Sequence, residues 1–200
     1  MVFGLDVLYS GGEQDNAIRR GGLLHRNNFR DYSPHQLEFT IALHTGLRPS
    51  EMYALKRDRI DRSRRLISIP QTKNGKARHI PLNTEAMAAF TELLQRPSPE
   101  GWVFVTMDGE RLRGYKHWFV RAVKTAAIRE FTWYCLRHTF ASRLVMAGVN
   151  LRTVAELMGH KTIQMTMRYA HLAPEHNLAA VERLVSLNSH SGEAVMMQET

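Results

Sequence analysis

The sequence predicts a mainly α fold with a small antiparallel β-sheet, an α+β class. Two patterns carry that prediction. The C-terminal half repeats apolar residues at helical spacing and punctuates them with glycine. Upstream, two short apolar runs flank Asn74-Gly75, the strongest short hairpin signal.

Residues 1–32 form an N-terminal extension with a basic bias from Arg19, Arg20, Arg26 and Arg30. Gly11-Gly12 and Gly21-Gly22 break any long helix there, and a solvated face is favoured over a contacting arm. Ser33-Pro34 opens a helix, with a capping side chain followed by proline at the first helical position. Leu37, Ile41 and His44 lie along one face of it, and Gly46 ends it. Pro49 starts a short helix over 49–55. Arg48 therefore sits in a tight turn between two helices, and on local grounds alone it reads as a salt-bridge partner of Glu51.

Leu66, Ile67 and Ile69 form one strand and residues 77–82 another. Lys73, Lys76 and Arg78 cluster at the hairpin between them, either as a solvated tip or as contacts to a polyanion backbone. Residues 84–95 form an amphipathic helix, broken by Pro97 and Pro99. Residues 103–105 are a short strand or extended piece, and 115–127 a helix burying Trp118, Phe119 and Val123. Leu136, Phe140, Leu144 and Ala147 set a helix over 136–147, and Leu151, Val154, Leu157 and Met158 a second one ending at Gly159. Thr162 caps a third, carrying Met165, Met167 and Tyr169. Met146, Met158, Met165 and Met167 are read as core. Leu178, Val181 and Leu184 mark a last helix over 174–187, and 188–200 is a polar, flexible tail.

Composition narrows the function. Two hundred residues suit one domain, and 44% apolar content supplies a core. No apolar run is long enough to span a membrane. One cysteine, Cys135, forms no internal disulfide and fits a reducing cytoplasm. A net charge of +8 favours polyanions. Aromatic residues do not alternate with basic ones, as a single-strand stacking platform would need. No Cys/His spacing suggests zinc, and no glycine-rich phosphate loop is present.

The stretch LRHTFASRLVMAG, followed by LMGHKTIQMTMRYAHL, resembles the C-terminal half of the tyrosine recombinase (phage integrase) catalytic domain. The TGLRPSE turn resembles that family's first arginine motif, and TKNGKARHIPL its β-hairpin. Taken singly, Arg137 reads as a salt-bridging residue at a helix start, His160 as a turn histidine and Tyr169 as a core tyrosine. In this order and spacing the resemblance implies more. Arg48 and Arg137 are phosphate ligands, His160 a hydrogen-bond donor, Lys73 the general acid and Tyr169 the nucleophile. Glu51 supports Arg48, His138 is structural or supporting, and Lys76 and Arg78 contact the DNA backbone. The implied reaction cleaves and rejoins double-stranded DNA through a 3′-phosphotyrosyl linkage, without metal, cofactor or ATP. Guanidinium groups near the phenol are expected to favour its anionic form. The implied partners are DNA and further recombinase subunits, with 174–187 docking in trans.

Two features depart from the family pattern. Tyr134 occupies the position of the family's usual histidine, and Cys135 replaces a common acid. The resemblance covers 33–187, the catalytic domain alone, whereas complete members carry a separate helical domain upstream. A fragment, a truncated product or a minimal recombinase would each fit. A binding remnant that holds DNA without cutting it, and a topoisomerase-like relaxing enzyme, remain the alternatives.

Overall fold

The computed structural model describes residues 35–70 and 77–173, together with Val181. The first element, α1 (Gln36–Thr45), lies at the centre. Its Phe39, Ile41, Ala42 and Leu43 are buried on more than one side, because α1 packs against both α3 (Thr84–Leu93) and α5 (Trp133–Met146). A helix enclosed on several faces has no simple polar stripe. Glu38 is fully buried within α1, held by the Tyr53 hydroxyl and by His35 Nδ1 at 2.6 Å. Burial, then the Glu38 charge beside it, drives the Tyr53 phenol far above its usual range.

Gly46 ends α1 in the left-handed conformation at φ +61°. A Cβ there would overlap the ring of Phe140, so the turn also needs glycine for space. The chain enters the short α2 (Pro49–Met52), whose start is boxed by the Arg48 and Glu51 pair. Three antiparallel strands follow in the order β1 (Ile60–Asp61), β2 (Leu66–Ile69) and β3 (Arg78–Pro81). Ile67 pairs with both Ile60 and Ile80, so one sheet face is apolar and packs on the core. The expected hairpin strands are present, whereas β1 is not legible at two residues. The Asn74-Gly75 turn, Lys73 and Lys76 lie outside the described residues.

Asn83 caps α3 by accepting the Ala86 N–H at 2.9 Å. The 103–105 strand does not extend; it is reduced to the isolated bridges Lys56–Trp102 and Val105–Arg111. Helix α4 (Lys116–Thr125) buries Phe119 and packs Trp118 and Val123 against the core, as its spacing predicts. Thr132 starts α5 with a capping box closed by the Cys135 sulfur, where the partner is usually an acid or amide. Trp133, Leu136 and the α1 face complete the larger core.

The smaller core is formed by the second half of α5, α6 (Leu151–Met158) and the chain beyond it. Asn150 caps α6, and Gly159 ends it at φ +62°. The third helix of this unit, α7 (Gln164–Met167), is a single turn, followed by a 3-10 turn over Ala170–Leu172. Met158 is buried as expected, but Met165 and Met167 are 46% and 51% exposed, so their reading as core is corrected. This one-turn helix turns Thr166 inward, and the methionines on either side of it therefore face outward. Of the 174–187 segment only Val181 is described, and it is exposed. No described helix is long and apolar enough to cross a membrane.

Candidate active site

The site is assembled at the C-terminal end of α6. The last carbonyls of a helix have no partner within it and carry partial negative charge. Here three successive carbonyls each receive a different arginine. Leu157 O accepts from Arg78 Nε at 3.2 Å, Gly159 O from Arg48 Nη2 at 3.0 Å, and Met158 O from Arg137 Nη2. The other terminal nitrogen of Arg137 donates to Gly46 O, across the turn that precedes Arg48. The two left-handed glycines therefore place the carbonyls that gather the cations. At Gly159 a Cβ would lie 2.7 Å from Arg78 Nη1.

Glu51 is the anionic centre of this set. Its two oxygens accept from Arg78 Nη1 and Nη2, each at 2.9 Å, in a bidentate pair. Arg48 adds its Nη1 at 2.9 Å and its backbone N–H at 2.8 Å. Burial alone would raise the carboxyl pKa, but these hydrogen bonds and charges more than offset it and hold it at about 2. Glu51 thus holds Arg48 in place and also anchors Arg78.

Arg78, expected at a DNA backbone, is turned inward in the structure. Its side chain is 8% exposed and committed to Glu51 and Leu157. The physical reason is strand parity: residues two apart share a face, and Ile80 points into the core. The alternation of Arg78, Ile80 and Leu82 was available in the sequence and would have turned this arginine inward.

Three guanidinium groups gather near one carboxylate, which pairs directly with only Arg48 and Arg78, so the cluster is cationic. Its neighbours respond to that charge. Burial, then Arg48, lowers Arg137 to about 10. Burial, then Arg137 and Arg48, lowers His160 to about 4, so its imidazole is neutral near neutrality. His160 Nδ1 lies 2.7 Å from the Thr166 hydroxyl, which leaves Nε2 as the nitrogen that can serve a ligand. Arg48, with its side chain 26% exposed, is the most open cation of the three.

Tyr169 lies beside this cluster but is 1% exposed, packed among Ala141, Val145, Val154 and Met158. Its hydroxyl is 2.6 Å from His138 Nδ1. Burial raises the phenol pKa, and the pull of Arg168 and Arg137 in the other direction is smaller. The guanidinium groups do pull toward the anionic form, as expected, but desolvation outweighs them. Tyr134 is 52% exposed, and among the described residues no hydrogen bond joins it to the cluster. His138, by contrast, touches the Tyr169 hydroxyl, a contact that sequence spacing could not give.

A helical domain in which arginines from a helix start, a strand and a second helix meet a neutral histidine and a tyrosine is built to receive an anion. Comparison with known proteins gives the class its particular family. A model of the phage integrase family matches residues 23–176, and the chain belongs to that family. The integrase of Salmonella phage P22 is 37% identical over 151 residues, spanning 68% of this chain and 38% of its own length. The tyrosine recombinase XerC of Pseudomonas fluorescens is 34% identical, spanning 84% and 55%. Among solved structures, the catalytic domain of bacteriophage HP1 integrase aligns with a TM-score of 0.59 at 31% identity, covering 90% of this chain and 95% of that one. A Tn1549 transposon integrase in complex with circular intermediate DNA aligns with a TM-score of 0.66 at 28% identity, covering 83% and 65%. The chain thus spans about half or less of several curated relatives it matches, and at most 63% of those with the longest overlap.

Proposed function

We propose that residues 33–187 are the catalytic unit of a site-specific DNA recombinase that cleaves and rejoins strands through Tyr169. The observation that carries this reading is the under-neutralised pocket of Arg48, Arg137 and His160 beside a single tyrosine. A phosphodiester bound there brings the negative charge the cluster lacks. Arg48 and Arg137 hold the non-bridging oxygens, where charge grows during in-line displacement. Neutral His160 donates from Nε2. Tyr169 attacks phosphorus, Lys73 protonates the leaving 5′ oxygen, and Lys76 holds the backbone. The phosphotyrosyl bond conserves the energy of the broken one, so rejoining needs no ATP. The similar Tn1549 transposon integrase, solved in complex with circular intermediate DNA, supports the substrate class. Assembly of further subunits on DNA, with 174–187 docking between them, extends the reading, as does action at the nucleoid.

A second reading, binding without cleavage, draws on the burial of Tyr169: at 1% exposure its oxygen must be uncovered before it can attack. One experiment separates the two without a known target site. The protein is incubated with sheared, nicked genomic DNA, denatured in detergent, and the covalently attached DNA is recovered and sequenced. Adducts on a recurring sequence, absent with Tyr169→Phe, support the recombinase. DNA retention with no adduct supports the binding module.

A further inference from the structure

We propose that His138 is the proton acceptor that activates Tyr169, a catalytic role that rests on the recombinase reading above. Among the described residues, His138 is the side chain hydrogen-bonded to the phenol, at 2.6 Å between Nδ1 and the hydroxyl oxygen. That spacing is the working distance of a general base. The pair is set by packing. His138 rides on α5 directly after Arg137, whose guanidinium is fixed to Gly46 and Met158. Tyr169 is clamped by Ala141 and Val145 of the same helix and by Val154 and Met158 of α6.

The groups facing His138 fix its resting state. Arg137 lies beside it on α5, Arg168 precedes Tyr169, and His160 stands across the cluster. Burial, then Arg168 and Arg137, holds the ring below its usual pKa, so it is neutral at rest. With its proton on Nε2, Nδ1 accepts the Tyr169 O–H. Buried, with its pKa raised, the phenol needs such an acceptor more than an exposed one would.

The step balances. The Tyr169 proton passes to Nδ1 and gives an imidazolium. The phenolic oxygen bonds to phosphorus as the bond to the 5′ oxygen breaks. That oxygen takes its proton from a separate acid, Lys73 in the reading above. On rejoining, the 5′ hydroxyl attacks, its proton returns to the acid, and the imidazolium reprotonates the departing phenolate. The negative charge growing on phosphate offsets the cost of an imidazolium beside Arg137 and Arg168.

Two measurements test this. In the free protein, nitrogen NMR of labelled histidine should find Nδ1 of His138 unprotonated and hydrogen-bonded, with the signal changing in Tyr169→Phe. A proton on Nδ1 donated to the phenol overturns the proposal without touching the recombinase reading. On the duplex recovered as an adduct, single-turnover cleavage by His138→Gln should fall by about 10²–10⁴-fold near neutrality. Its rate should then climb with pH, where the wild-type profile is flat. Imidazole should partly restore His138→Ala, a rescue that a merely structural role would not show. A 5′-bridging phosphorothiolate, whose leaving group needs no acid, should rescue Lys73→Ala but not His138→Gln. Wild-type cleavage by His138→Gln, or its rescue by the phosphorothiolate, refutes the assignment. If Tyr169→Phe still forms adducts, it is the recombinase reading that fails.

Discussion

Replacing Glu51 by glutamine should destabilise the protein by about 3 kcal/mol near neutrality. The carboxyl is held at about 2 against an ordinary 4.5, and each tenfold change in proton affinity is worth about 1.4 kcal/mol. Its side chain is 5% exposed, so solvent screening takes little from this figure. An independent route agrees: removing one partner of a buried ion pair costs about 3–5 kcal/mol, and Arg78, 8% exposed, would lose its counter-charge. Glutamine keeps the shape and one accepting oxygen, which favours the lower end. The pH dependence follows from the direction in which the carboxyl is moved. A depressed carboxyl contributes fully above its unfolded value near 4.5, and that contribution is lost as pH falls toward 2. Urea denaturation of the wild type and Glu51→Gln should therefore show a gap that is wide at about pH 7 and narrows by about pH 3. Equal midpoints near neutrality, or a gap that persists unchanged in acid, would refute the claim that Glu51 works as the charged centre. Loss of Glu51 also frees Arg48, so DNA cleavage should fall by more than the change in folded fraction explains.

Three further predictions bear on the same cluster. His160, held near 4 against an ordinary 6.5, binds its proton more readily in the unfolded chain, so stability should drop as pH falls through that interval. His160→Gln should flatten the thermal midpoint over the same range. Thr166→Val removes the hydroxyl that sets the His160 ring and should slow cleavage about tenfold, the effect of one lost hydrogen bond, while Thr166→Ser stays near wild type. Gly46→Ala drives a Cβ into the Phe140 ring at a φ of +61° and should cost about 3 kcal/mol by thermal melting, pulling the Gly46 carbonyl off Arg137.

The helices and their stops were legible along the chain, because periodicity, caps and glycines act locally. Asn83, Asn150 and Gly159 stand at caps as their chemistry dictates. The family was legible too, through the order of Arg48, Arg137, His160 and Tyr169. How those residues are used is a matter of long-range packing. The inward turn of Arg78 depends on which strand face meets the core, and the arginines converge because the α6 carbonyls end where Gly46 turns. The exposure of Met165 and Met167, the burial of Tyr169 and its bond to His138 all follow from how α7 packs on α6 and the turn after it closes against α5. Such contacts join residues far apart in the chain, and no local rule of spacing encodes the desolvation that raises the phenol while it lowers the imidazole.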